Sequence, residues 1–417
     1  MSVFEISALL LSVAALCGFL NEKYFRLPTT IGLMVISSTI SIFLLILNSF
    51  GLGIADAAEK VISQIDFEKA LMEGMLCFLL FAGALHLNLE SLMKRVKIIS
   101  ILATIGVVVS TLLVGVLTKG LFSIMNMEIA WIYCFLFGAL ISPTDPIAVL
   151  ALLKQVGAPK SLETKIAGES LFNDGVGVVV FLVLLETLTG HAPLSAGHVA
   201  KLFFQEAVGG IVLGLIFGYA GFQMLKALEN YSIEILVTLA LVMAGYALAQ
   251  RMHVSGPLAM VVIGLMIGNL GRVLAMSDKT REHLDTFWEL IDEILNAVLF
   301  VLLGLELIIL ELTPVAITIG LIAIPMVLFC RWFCVLIPVT ILRACKTPFN
   351  PHAVKVMTWG GLRGGISVAL ALTLPEGPER QHLLVATYCV VLFTIIVQGL
   401  TIGKLLKKAS ENQPADA

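Results

Sequence analysis

The chain has 417 residues and a net charge of −3; 59% of its residues are hydrophobic and only 13% are charged. Soluble domains carry roughly 25% charged residues, so this is the composition of a polytopic membrane protein. The near-neutral balance offers no basic field for nucleic acid.

The N-terminal stretch MSVFEISALLL lacks the positive region of a cleaved signal peptide and reads as a first span. A membrane helix needs about 20 apolar residues. Thirteen segments qualify, at 3–20, 29–48, 67–88, 98–122, 128–153, 162–188, 199–227, 231–250, 255–271, 286–310, 313–342, 352–375 and 383–405. The expected fold is an all-α polytopic membrane protein with thirteen transmembrane helices. The basic residues test this count. One set of loops carries Lys23, Arg26, Lys94, Arg95, Lys97, Lys154, Lys160, Lys165 and most of the later Lys and Arg. The other set carries only Lys60, Lys69, Lys119, Lys201, Arg251 and Arg380. The positive-inside bias puts the first set in the cytoplasm, the N-terminus outside and the C-terminus inside. The tail 406–417 is too short to fold, so no soluble domain is expected.

Span five contains Ser142-Pro143-Thr144-Asp145-Pro146. The two prolines cannot donate to the carbonyls of Ala139 and Ser142. Broken backbone at membrane depth is tolerated where it is buried in protein or lines a cavity. The freed carbonyls, the Thr144 hydroxyl and the Asp145 carboxylate are hard oxygen ligands that suit a monovalent cation or a proton.

Span six contains Gly168-Glu169-Ser170-Leu171-Phe172-Asn173-Asp174. Ser170 and Asp174 share one helix face, while Glu169 and Asn173 share another, rotated by about 100°. Asp174 and Ser170 are therefore expected to meet the cation together with Asp145 and Thr144. Glu169 is expected to pair with an intramembrane arginine, and two are available, Arg331 in span eleven and Arg363 in span twelve. Buried ionisable groups of this kind mark function by default. The glycines around Arg363 weaken its helix, so span twelve is expected to be interrupted like span five. Spans four to six and eleven to thirteen are then two triplets of opposite orientation, each broken in its middle helix. Inverted repeats of this form place an ion site where the breaks meet.

Other features read more blandly. The seven cysteines (17, 77, 134, 330, 334, 345, 389) lack framework spacing and are packing residues. Lys69 and Glu73 are spaced for a surface ion pair. His86 ends span three, and His191, His198, His253, His283, His352 and His382 share no ligand spacing. Asp292 and Glu293 open span ten, where they could draw cations into a funnel.

Taken together, SPTDP, GESLFND and GGLRGG closely resemble the NhaP/NHE-type monovalent cation/proton antiporters. LLFAGALHLNLESL (79–92), FWELIDEILNAVLFVLLGLEL (287–307) and VLFTIIVQGLTI (391–402) extend the resemblance over the whole membrane region. The resemblance implies a homodimer. Residues 1–95 and 189–312 would be scaffold, dimerisation and linker helices; 96–188 and 313–405 would be a moving six-helix core. It implies an ion site of Asp174, Asp145, Ser170 and Thr144, and a Glu169 partner at Arg331 in preference to Arg363. Asn173 stands where electrogenic relatives carry a second Asp, which implies electroneutral exchange of one cation for one proton. Ala82 occupies a third-span position that is acidic in some relatives.

The expected activity is exchange of Na+, or of Li+ or K+, for H+ across the plasma membrane, without cofactor and without enzymatic chemistry. A K+/H+ antiporter of the same fold is the alternative. A channel would need a continuous pore lined by carbonyl or charge rings; an organic-solute symporter would need a larger polar cavity. No HExxH, Ser-His-Asp or Walker motif speaks for an enzyme.

Overall fold

The structure, a computed structural model, describes residues 2–50, 53–147, 149–150, 153, 160–190, 196–227, 229–344 and 352–411. Cys345, His191, Lys154 and Lys346, the chain beyond Glu411 and most of the end of span five lie outside these. Among the described residues all regular structure is helical, and the sole β-type contact is an isolated bridge between Asp145 and Leu362.

In chain order the principal helices are α1 (Val3–Leu20), α2 (Thr29–Ser49), α3 (Leu76–Leu85), α4 (Val96–Ile124), α5 (Trp131–Ile141), α6 (Lys160–Leu188) and α7 (Ala196–Lys226). They continue with α8 (Tyr231–Arg251), α9 (Gly256–Met266), α10 (Asp278–Leu305), α11 (Pro314–Ala344), the half-helices α12a (Ala353–Trp359) and α12b (Gly365–Leu372), and α13 (Pro378–Phe393). Nine helices among the described residues are long and apolar enough to cross a membrane. The remaining elements, α3, α5, α10 and the α12 halves, are short, broken or charged at one end. Those properties mark the residues that serve the site rather than lipid.

Local sequence sets the boundaries. Ser2 and Glu5 form a reciprocal capping box at α1, with Glu5 N–H donating to Ser2 Oγ at 3.2 Å and Ser2 N–H donating to the Glu5 carboxylate at 2.7 Å. Ser255 caps α9 just ahead of Pro257, which fits a first helical turn because its missing N–H is not needed there. Ser277 caps α10 at Thr280 N–H, so this helix starts eight residues before the apolar stretch that suggested span ten. Hydropathy missed those two turns because they carry Asp278, Arg281, Glu282 and Asp285. The sequence spacing of Lys69 and Glu73 did not give an ion pair. Residues Ala70–Met75 form a π-turn, which shifts the i, i+4 register, and Lys69 pairs with Asp66 at 3.2 Å instead.

Two apolar cores emerge. The smaller draws on α4, α5, α6, α11, α12b, α13 and their adjoining turns, with Phe122, Phe137, Phe181 and Leu370 fully buried. The larger joins α1–α3 and α7–α10 to the inner faces of α4, α6, α11, α12 and α13. α4 packs along α5 and α11 along α13; on the other side α3 packs on α9 and α2 on α10.

Candidate cation site

The site is built where two helices fail. α5 stops at Ile141, and Ser142–Pro146 leaves the helix; α12a stops at Trp359, and the chain re-enters a helix only at Gly365. The two extended stretches cross, with Asp145 N–H donating to the Leu362 carbonyl at 2.8 Å. Broken backbone therefore pairs with broken backbone. A side chain at Gly364 would strike the Asp145 carboxylate, so close approach at the crossing requires glycine there.

Arg363 closes the break. Its Nη1 donates to the carbonyls of Ser142 at 2.5 Å and Pro143 at 2.8 Å, and its own N–H donates to Thr394 Oγ1 at 3.1 Å. The Ser142 carbonyl freed by Pro146 is thus occupied by a guanidinium and not held open for a cation. The Ala139 carbonyl accepts from Ser142 N–H at 3.3 Å.

Helix α6 departs from the expected split: Asn173 joins Ser170 at Thr144, and only Glu169 turns away, to Arg331. Asn173 braces the break: its Oδ1 accepts from Thr144 N–H at 3.1 Å and its Nδ2 donates to Thr144 Oγ1 at 2.9 Å. Ser170 Oγ and Thr144 Oγ1 lie 2.9 Å apart in a hydrogen bond. Thr144, Glu169, Ser170 and Asn173 are all at most 2% exposed. Glu169 forms an ion pair with Arg331 Nη1, and Arg331 also donates from Nε and Nη2 to the Met357 carbonyl at 3.3 and 3.1 Å. A side chain at Gly361 would collide with the Arg331 guanidinium.

Asp174 is different. It is 8% exposed, and its carboxylate has no hydrogen-bond partner among the described residues. The charges of Asp145 and Arg363 both act on it. Asp145 accepts one local bond, from Ile147 N–H at 3.0 Å. Both acids line a cavity of about 1110 Å³ that runs along α10 past Asn296, Asp292, Glu293 and Asp285. Asp285 is paired with Arg272, and His86, which caps α3, lines the same cavity. The structure thus brings Asp145, Thr144, Ser170 and Asp174 together, and it sets Glu169 and Arg331 behind them. Ala82 is buried. Sequence reasoning missed the direct role of Arg363 in holding the Ser142 and Pro143 carbonyls; the Ser142 carbonyl left without a donor by Pro146 was the available signal.

A model of the sodium/hydrogen exchanger transmembrane region matches residues 10–408. The chain belongs to the sodium/hydrogen exchanger family. The Na(+)/H(+) antiporter NhaP of Pseudomonas aeruginosa is 46% identical over 99% of both chains. The Na(+)/H(+) antiporter NhaH of Halobacillus dabanensis is 34% identical over 97% of this chain and 96% of its own. Among solved structures, the sodium proton antiporter MjNhaP1 of Methanocaldococcus jannaschii superposes with a TM-score of 0.76 over 98% of this chain and 99% of its own. At 21% identity that likeness establishes the shared fold. A member of this transporter family is a multi-pass membrane protein and not an enzyme.

Proposed function

We propose that this exchanger moves Na+ in one direction and H+ in the other, one for one, with Asp174 as the group that carries either ion. The observation that carries the reading is the unpaired Asp174 carboxylate at the end of an open cavity, beside two crossed broken helices. Asp145, Ser170 and Thr144 complete the oxygen ligand set. Asn173 cannot take a proton and holds Thr144 in place. Glu169 and Arg331 neutralise each other as a structural pair, and Arg363 ties the two breaks together.

Exchange follows from charge. A bare carboxylate costs at least about 2.5 kcal/mol at the bilayer centre. A site neutralised by Na+ or H+ avoids that cost and crosses; an empty one stays on its side. The packing supports a moving unit of α4–α6 and α11–α13 against a scaffold of the other helices, since the smaller core is confined to the first set. With the shorter and broken elements counted, we assign thirteen crossings, a plasma-membrane location, an outside N-terminus, a cytoplasmic C-terminus and a homodimer. The acidic cavity then opens to the cytoplasm.

The test is uptake of radiolabelled Na+ by proteoliposomes under an imposed pH gradient. Wild-type protein gives saturable uptake that needs the gradient, and Asp174→Asn gives none. Full exchange by that variant overturns the assignment. Running the assay with K+ and Li+ decides between this reading and a K+/H+ antiporter; cation flux without a counter-proton would mean a channel.

A further inference from the structure

Beyond the cavity, α10 continues as a tight plug. Leu299 is its last residue on the cavity wall, and Phe300–Leu303 are all at most 1% exposed. Seven residues past Leu299, about 10 Å along the helix, a short 3-10 turn presents Glu306, which is 5% exposed. Its Oε2 is buried with no hydrogen-bond partner. This turn packs on α2, where the buried Ser38 hydroxyl is also unpartnered. On α13 the Tyr388 hydroxyl, in a residue 1% exposed, lacks a partner too. Ser367 of α12b sits on the cavity wall with its hydroxyl buried and unpaired. Closer to the surface, Gln381 of α13 donates to Glu311, which joins the link after α10 to the start of α13.

Each buried, unpaired polar atom costs about 1–3 kcal/mol, and a charged one more. Native proteins keep few, and those that persist call for a reason. These lie on α2, on the turn after α10, on α12b and on α13. A purely structural role would be served better by apolar side chains of similar size. The arrangement makes sense as a polar path that is closed here and opens in another state of the transport cycle.

We propose that Glu306 and Tyr388 form the outer half of the ion path, with Glu306 as the acidic station that receives the cation or proton on the face opposite the open cavity. The inference rests on the exchange reading above. When the α4–α6/α11–α13 unit moves, Tyr388 shifts relative to Glu306, the Glu311–Gln381 bond opens, and water and ions reach the carboxylate. Ser367 lies on the wall of the Asp145–Asp174 cavity. Because the station is used from one side only, its loss changes apparent ion affinity on that side.

The test compares half-saturating Na+ on the two faces, measured in right-side-out and inside-out membrane vesicles. Glu306→Gln keeps the size and removes the acid. It raises the ratio of outer to inner half-saturating concentration by about tenfold, the effect of a 1.4 kcal/mol change. Tyr388→Phe moves the ratio in the same direction by less, and Glu306→Asp restores most of it. An unchanged ratio, or equal shifts on both faces, overturns the proposal and leaves Glu306 a structural residue. Should Glu306→Gln fail to reach the membrane, the ratio in Tyr388→Phe decides in the same way. Wild-type vesicles with no pH-driven cation flux would instead overturn the exchange reading itself.

Discussion

Glu169 and Asp174 sit five residues apart on one helix, yet the protein treats them oppositely. Glu169 is 1% exposed and held by Arg331, which is anchored in turn on the Met357 carbonyl. Asp174 has no hydrogen-bond or ion-pair partner among the described residues and faces the cavity. A carboxylate whose charge is already cancelled gains little from a proton or a cation. One left uncancelled in apolar surroundings must find a counter-ion, and here both H+ and Na+ can serve. The comparison separates two kinds of buried acid: one with a fixed partner, and one without, next to an open cavity, which we propose as the exchanging group.

The sharpest way to break this contrast is at Asp174. Asp174→Asn reduces pH-driven Na+ uptake to the protein-free background while leaving the thermal unfolding of the detergent-purified protein near wild type. At Glu169 the effects reverse. Glu169→Gln or Arg331→Leu alone strands a buried charge and destabilises the fold by about 3–5 kcal/mol. The double variant recovers part of that loss, since only the Met357 carbonyl is then left unpaired. Thermal melts of the three variants give the coupling directly. An additive result would dissolve the distinction between the two acids.

Asn173→Ala tests the brace between them. It leaves Thr144 N–H without its acceptor, at a cost of about 1–3 kcal/mol. Part of that cost appears as weaker Na+ binding, because Thr144 and Asp145 are neighbours on the broken segment. Isothermal titration with Na+ measures it. The smallest effect is at the mouth of the cavity. Neutralising Asp292 and Glu293 together raises the half-saturating Na+ on that face about twofold at low ionic strength. The effect fades at 0.15 M salt, where the screening length is roughly 8 Å.

Much of this design is legible in the sequence. Apolar runs separated by basic loops gave the membrane class, and the paired Pro and Gly motifs placed the two breaks in spans five and twelve. The period of an α-helix separated Glu169 from Ser170 and Asp174, but Asn173, expected on the Glu169 face, meets Thr144 beside Ser170. Local spacing could not reach further in two places. The π-turn at Ala70–Met75 cancelled the expected pairing of Lys69 with Glu73, because such turns depend on what packs around them. The first two turns of α10 were invisible to hydropathy because Asp278, Arg281, Glu282 and Asp285 are charged; only the fold shows the Ser277 cap and the pairing of Asp285 with Arg272 that hold them.

The chain by itself determined that two acid-bearing interruptions lie within the membrane and that two arginines must answer them, since neither a lone charge nor an unpaired carbonyl survives there unmatched. Folding alone decided which arginine answers which. Arg331 and Glu169 are 162 residues apart, and Arg363 is 221 residues from Ser142. Both guanidiniums could satisfy a carboxylate or a carbonyl. Only the crossing of the two broken stretches, fixed by the Asp145–Leu362 hydrogen bond, points Arg363 at the freed carbonyls of span five and leaves Arg331 for Glu169. Asp174 is what remains without a fixed partner.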